Sequence, residues 1–360
     1  MHLRIFSLLF FLSTACLQAF EIATIEEKVG QLLMPHFNGA ECNEDALTLL
    51  EQVHVGGIIY YKWSNELSSP TQVRALSEGL QKASKIPLWI SIDQEGGPVA
   101  RLDDTFGEFP SQREVAKMNP IDYYSVAGKT AKIILDLGIN MNLAPVVDIS
   151  THPETSYIAK RTYGNTPDEV LPYAKHALLS YRQQHLLGVL KHYPGYGDVV
   201  VDPHHDLPVN KKTLEQLAAW ELKPYVYLRG LYDAVMTAHI FFPKIDPEHC
   251  ATLSPLFYEY LRTKIKFDGL VITDSLVMDG VLKEAGTLEA AAIQALKAGA
   301  DLLIIGGKED MKVDAVVALH KRLVKAVVKG ELPLERVEEA VKRNLKFKTK
   351  YLVDRCPKSG

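Results

Sequence analysis

Eight short apolar runs recur along this chain, each separated from the next by a longer segment. They are VGQLLMPHF (29–37), VGGIIYY (55–61), PLWISID (87–93), NMNLAPVVD (140–148), GVLKHY (188–193), AVMTAHI (234–240), DGLVITD (268–274) and ADLLIIGG (300–307). A strand with one wet face alternates apolar and polar residues. Runs that are apolar at nearly every position instead suit strands covered on both faces, as in a parallel sheet sandwiched by helices.

The intervening segments carry the matching signal. Residues 42–54, 71–84, 166–184, 213–230 and 287–300 place apolar residues three and four apart, and 331–352 forms a long terminal segment of the same kind. Several open on Thr followed closely by Glu or Asp, which is how a helix start is capped. Alternating strand and helix predicts an α/β fold, and eight such units predict a single (β/α)8 TIM-like barrel, which typically needs about 250 residues plus insertions. An open doubly wound sheet is the competing arrangement, but no G-x-G-x-x-G follows the first run. No linker, low-complexity run or repeat divides the chain, so residues 20–360 read as one domain.

The first 19 residues read differently. A basic residue, Arg4, precedes an apolar run from Ile5 to Leu12 and then small residues, the layout of a secretory signal peptide. The run is shorter than the roughly 20 residues that span a bilayer. Residues 1–19 are therefore expected to be a leader that exports the protein to the periplasm or the exterior, with lipidation at Cys16 as a weaker option. Cys42, Cys250 and Cys356 are far apart and lack metal-ligand spacing, so one disulfide and free thiols both remain open. A net charge of −4 offers no basic surface for a phosphate backbone, and no nucleic-acid partner is expected.

In a barrel of this kind the active site sits at the C-terminal ends of the strands. Polar residues terminate the apolar runs here: Asp93, Asp148, Lys191 with His192, His239 and Asp274. Each alone could merely cap a loop, but one fold would set all of them on one rim. The stretch KHYPGYGDVVVDPHHDLP (191–208) adds His204, His205, Asp198, Asp202 and Asp206. As a metal site this window is weak, because no H-x-H or H-E-x-x-H spacing accompanies the histidines.

The motifs IDQEGGPVARL, INMNLAPVVDI, KRTYGN, KHYPGYGDVVVDPHHDLP, MTAHI and FDGLVITDS resemble glycoside hydrolase family 3, in the order found there. The resemblance is to its bacterial β-N-acetylglucosaminidase (β-N-acetylhexosaminidase) branch and covers about residues 25–350. It implies a retaining exo-β-N-acetylglucosaminidase that removes terminal N-acetylglucosamine from peptidoglycan fragments or related glycans through a glycosyl-aspartate. The implied substrate is a carbohydrate, no cofactor or metal is needed, and the protein is expected to be a monomer. Asp274 matches the nucleophile. Counting from Lys191 through Gly197 and four residues on, Asp202 and His204 match the family's D-S-H pair, with His204 as acid/base and Asp202 orienting it. Imidazole is the side chain whose two forms are both within reach near neutral pH. The resemblance assigns Asp93, Arg101, Arg161, Lys191 and His192 to the sugar, with Arg161 towards the N-acetyl group. His239 is a lesser candidate.

Three residues depart from the family pattern. Pro98 follows DQEGG where Arg is usual, Tyr196 replaces the second His of K-H-F-P-G-H-G, and Pro203 replaces Ser in D-S-H. Because Pro203 fixes φ and lacks an N–H, loop closure becomes the open question. Gly195 and Gly197 read as a hinge for that loop. Other readings remain: a β-glucosidase or β-xylosidase, an N-acetylglucosaminide phosphorylase, a metal-dependent hydrolase using His192, His204 and His205, or a glycan-binding protein without turnover.

Overall fold

A computed structural model describes residues 20, 22–150, 152, 154–156, 158–197, 199 and 201–353. The leader with Cys16, as well as Asp198 and Cys356, lies outside the described residues.

Each of the eight apolar runs forms a strand: β1 Leu33–Pro35, β2 Gly57–Tyr60, β3 Trp89–Ile92, β4 Met141–Asn142, β5 Leu187–Tyr193, β6 Ala234–Thr237, β7 Leu270–Thr273 and β8 Leu303–Ile305. All pairings between them are parallel. A continuous six-stranded sheet runs in the order β2-β3-β4-β5-β6-β7, and β1 pairs with β8. The two sheets touch at both ends. A parallel bridge joins Ile272 to Leu302, and the Gly56 N–H donates to the Leu33 carbonyl at 3.0 Å.

Seven of the strands are shorter than the apolar runs that contain them, and β5 starts one residue before its run. In the fourth run the strand ends at Asn142, well before Asp148, and a single parallel bridge pairs Val146 with Lys191 beyond it. Pro145 supplies no N–H to the ladder, although the Val147 N–H still reaches the Lys191 carbonyl at 2.8 Å.

Alternation along the strands sorts side chains into two apolar layers. One cluster holds Met34, Ile59, Trp89, Met141, Val189, Met236, Ile272 and Ile304, one residue from each strand, together with Phe347 and Tyr351 from the chain's end. The other holds the opposite strand faces, such as Ile58, Ile90 and Val271, packed against the helices. Runs apolar at every position were legible for this reason: both faces are buried.

Helices fill the gaps, at Pro70–Ala83, Pro167–Gln183 and Leu288–Ala298 among others. Thr166, Thr213 and Thr287 accept from backbone N–H groups at helix starts, as their positions predict. The segment 213–230 is not one helix but two, Leu214–Ala219 and Lys223–Tyr227, with the break at Trp220 just before Pro224. Helices at Pro120–Asp136, Pro255–Thr263 and Val313–Val328 were not picked out from periodicity. Among the described residues no helix is long and apolar enough to cross a membrane. Cys42 and Cys250 are free thiols.

The terminal helix Leu334–Lys348 closes the end of the sheets opposite the strands' C-termini. Asn344 accepts from the Trp89 indole at 2.7 Å and donates to the Gln31 carbonyl at 2.7 Å. Arg336 and Arg343 grip the buried Asp301 carboxylate at 2.7 and 2.6 Å. Lys348 is wholly buried, with the Gln31 side-chain oxygen at 2.8 Å and, among the described residues, no carboxylate partner.

Burial lowers the Lys348 ammonium from 10.5 to about 7. In the unfolded chain the amine stays protonated to its ordinary value. Between those two pH values the unfolded state binds the extra proton, so stability rises with pH, by on the order of 1.4 kcal/mol per unit. Lys348→Met is predicted to be more stable than the parent at pH 7, with the gap shrinking towards pH 10. Urea unfolding of both proteins across that range measures it. A gap independent of pH would contradict the assignment.

Candidate active site

The C-terminal ends of the strands converge on one cleft. Asp93 follows β3, Lys191 and His192 lie within β5, and Asp274 follows β7. All four line the cleft, as do Arg101, Arg161 and His204, beside Tyr61 and Ser275. Seven residues named from sequence thus share one wall system. Asp202, the eighth, stands behind His204.

The deep end is a charge network built on a residue the sequence reading did not single out. Glu95, two residues past Asp93 in DQEGG, is buried between two cations. Arg161 makes a two-pronged contact with it, Nε to Oε2 at 2.8 Å and Nη2 to Oε1 at 2.7 Å. Lys191 Nζ reaches Glu95 Oε1 at 2.6 Å and Asp93 Oδ1 at 2.6 Å. Burial alone would raise the Glu95 carboxyl, but Arg161 and Lys191 outweigh it and hold the group far below the ordinary carboxylate range. Burial likewise opposes the Lys191 charge, and Asp93 and Glu95 overcome it, so its pKa is raised. Arg101 Nη2 stands 4.0 Å from Asp93 Oδ2, and its backbone N–H is held by the Gln94 side chain at 2.8 Å.

His192 is fixed by Asp148. Its Nδ1 donates to Asp148 Oδ2 at 2.6 Å, which leaves Nε2 facing Arg161 Nη2 at 3.4 Å. Asp148 Oδ1 accepts from the Tyr196 N–H at 2.7 Å. Tyr196 itself is buried, edge-on to His192, and its hydroxyl accepts from the His239 N–H at 2.9 Å. Tyr196 is therefore a packing piece beneath the sugar-facing residues. His239 is wholly buried, with Nε2 donating to the Ser275 carbonyl and Nδ1 at Thr252 Oγ1, both at 2.9 Å. Burial pushes its pKa down, and it holds the backbone next to Asp274 rather than facing the cleft.

Asp274 is an ionised carboxylate, half-buried at the wall of the cleft. Burial would raise its pKa, but His239, His192 and His204 nearby and the Ser275 N–H, at 2.7 Å from Oδ1, bring it below the usual value.

His204 comes from the loop after β5. Its Nδ1 donates to Asp202 Oδ1 at 2.7 Å, and its own N–H reaches the same oxygen at 2.9 Å. Nε2 is left for the cleft. The Pro203 carbonyl accepts from the Gly280 N–H at 3.2 Å, and Lys283 donates to the His205 carbonyl and to Asp206 at 3.0 Å each. Any Cβ at Gly280 would lie 2.9 Å from the carbonyl oxygens of Pro203 and Asp206, so the glycine admits the loop. Pro203 gives up an N–H that this docking does not use. Gly197 is not a free hinge: a Cβ there would fall 1.4 Å from the Ile149 carbonyl oxygen, so it serves close packing. His205 is exposed and does not line the cleft. Among the described residues no three His, Cys, Asp or Glu side chains converge as a metal-ligand set.

Glu95→Gln leaves Lys191 and Arg161 buried without their shared counter-charge. The variant is predicted to lose about 3 kcal/mol of stability at pH 7. The parent's advantage comes from a depressed carboxyl pKa, so it is present above the ordinary glutamate range and lost as pH falls through and below it. Denaturant unfolding at pH 7 and pH 4 measures the narrowing; a gap that widens at low pH would contradict the network.

The glycosyl hydrolase family 3 N-terminal domain matches residues 24–347. A β-hexosaminidase of Idiomarina loihiensis is 30% identical over 278 residues, which cover 76% of this chain and 83% of that protein. The solved family 3 β-N-acetylglucosaminidase of a Paenibacillus species superposes with a TM-score of 0.87 at 37% identity over 93% of this chain, which spans 64% of that longer protein. A β-N-acetylhexosaminidase from Beutenbergia cavernae superposes with a TM-score of 0.83 at 25% identity, covering 91% of this chain and 99% of its own. Matched from residue 24 to residue 347, the chain belongs to glycosyl hydrolase family 3.

Proposed function

We propose that the protein is a retaining exo-β-N-acetylglucosaminidase with Asp274 as nucleophile and His204 as acid/base. The observation that carries this reading is that an ionised, half-buried Asp274 and the Asp202-oriented His204 line the same cleft as the charged sugar-facing residues. The related β-hexosaminidases and β-N-acetylglucosaminidases support the substrate class.

The chemistry follows from the donors and acceptors present. Asp93, Lys191 and Arg101 offer hydrogen-bond partners to ring hydroxyls, and the Arg161 guanidinium lies on the side assigned to the acetamido group. In the first step an Asp274 oxygen bonds to C1 while the bond from C1 to the leaving oxygen breaks. The His204 Nε2 proton passes to that oxygen. In the second step Nε2 takes a proton from water, the water oxygen bonds to C1, and Asp274 leaves as carboxylate. Asp202 keeps Nδ1 occupied, so Nε2 is the nitrogen that exchanges protons.

The closed (β/α)8 barrel belongs to the same proposal. One inner apolar cluster takes a residue from every strand, and the Ile272–Leu302 bridge and Gly56–Leu33 bond stand at the two seams. Export and a peptidoglycan-derived substrate rest on the leader-like residues 1–19.

The test compares an aryl β-N-acetylglucosaminide with the matching glucoside. Preference for the first is predicted, with activity abolished in Asp274→Ala and kcat lowered about 10²–10⁴-fold in His204→Ala. His205→Ala is predicted to retain activity. Preference for the glucoside would remove the substrate assignment, and a crippled His205 variant beside an intact His204 variant would reassign the acid/base. Adding phosphate distinguishes hydrolysis from phosphorolysis: accumulation of the sugar 1-phosphate would identify a phosphorylase.

A further inference from the structure

A row of aromatic rings leads outward from the cleft along the turn after β2, and the proposed chemistry does not use it. Tyr61 lines the cleft with Asp93, Arg101 and Asp274. Trp63 stacks on Tyr61, with ring centroids 5.2 Å apart and planes 17° from parallel. His36, buried at the end of β1, meets Tyr61 and Trp63 edge-on at 5.7 and 5.0 Å. Its buried ring is held edge-on against both aromatics, so this side chain contributes to their packing.

Trp63 nonetheless remains 40% exposed. An exposed aromatic alone needs no explanation; the mount beneath this one does. Asn65 is wholly buried, and its amide donates to the Phe37 and Gly39 carbonyls at 3.2 and 3.1 Å. Its side-chain oxygen accepts from the Tyr61 N–H at 3.3 Å and from the Ser64 hydroxyl at 2.8 Å. The next two residues, Glu66 and Leu67, both take positive φ, at 62° and 48°, a backbone that side chains disfavour. Strain of this kind persists only where surroundings enforce it, and it collects at ligand clamps. Lys62 ties the turn to Asp103 and Asp104, and the Thr105 hydroxyl donates to the Leu67 carbonyl. These ties bring in a second turn, which carries the exposed Phe106.

A cleft that removes a terminal sugar has a closed polar end and an open one. Buried Lys191 with Asp93 forms the closed end, Asp274 takes C1, and only the leaving group continues outward. The C–H face of a pyranose is apolar and packs on an aromatic plane, while its hydroxyls point sideways to polar partners such as Lys62, Asp103 and Asp104.

We propose that Trp63, backed by Tyr61 and His36, is the stacking platform for the leaving-group ring of a β-linked oligosaccharide. This rests on the N-acetylglucosaminidase reading and narrows its substrate to chains of at least two rings.

The test uses the full-length enzyme and two substrates. One is the β-1,4-linked N-acetylglucosamine disaccharide. The other is β-N-acetylglucosaminyl fluoride, whose leaving group is a single atom and cannot stack. Trp63→Ala is expected to lower the ratio of kcat/KM for the disaccharide to that for the fluoride tenfold or more, and Trp63→Phe to recover most of it. Equal loss on both substrates, or no change in the ratio, would overturn the platform. Binding to Asp274→Asn protein separates this claim from the hydrolase reading. There the Trp63→Ala change is expected to weaken the disaccharide tenfold and the monosaccharide less than twofold. That result in a protein whose parent cleaves neither substrate would leave the platform standing and remove the hydrolase. Equal weakening of both sugars would remove the platform.

Discussion

The site depends on one buried carboxylate. Glu95 stands between Lys191 and Arg161, with contacts of 2.6 to 2.8 Å, and each cation also touches another sugar-facing group, Asp93 or His192. Lys191, wholly buried, and Arg161, partly buried, would repel one another and pay the cost of dehydration; a shared, ionised glutamate offsets both penalties. It also links three separate pieces of chain: the loop after β3, the short turn that carries Arg161, and β5. Fixing the polar groups before the sugar arrives means that binding energy is not spent on ordering them.

The proton-transfer pair is built in the opposite way. Asp202 and His204 are more exposed than the deep network and belong to a long loop. The loop is not unsupported. It rests on the helix Asp279–Ala285, which follows β7 and Asp274, through Gly280 and Lys283. Asp274 and the loop that carries His204 therefore share a support, and a movement of that helix shifts both. Lys283 to Asp206 is an exposed ion pair and contributes little alone. The backbone bond at Gly280, in a space no side chain could share, is the more specific contact.

Much of this was legible in the sequence, for a physical reason. Strands buried on both faces leave unbroken apolar runs, and all eight were found. Their ends were less certain: the fourth run continues to Asp148 while the regular strand ends at Asn142, because Pro145 interrupts the ladder and leaves only the bridge at Val146. The charged residues that terminate these runs converge because parallel strands place their C-termini together. Glu95 escaped notice because it follows Asp93 by two positions and lies in a loop, where no periodicity marks which way a side chain points. Tyr61 was hidden inside an apolar run and read as core; it is both core and cleft wall. Gly197 looked like a hinge because glycine signals freedom and close packing by the same letter, and only the distance to Ile149 separates them.

The central claim is that Asp274 forms a covalent bond to the sugar and that His204 serves both halves of the reaction. Trapping tests it most directly: incubation with 5-fluoro-N-acetylglucosaminyl fluoride, which slows the second step, followed by mass spectrometry of the digested protein. An adduct of one fluorinated sugar is expected on the peptide containing Asp274, accumulating in the parent enzyme. An adduct on any other carboxylate, or release of product with inverted anomeric configuration and no adduct, would contradict it.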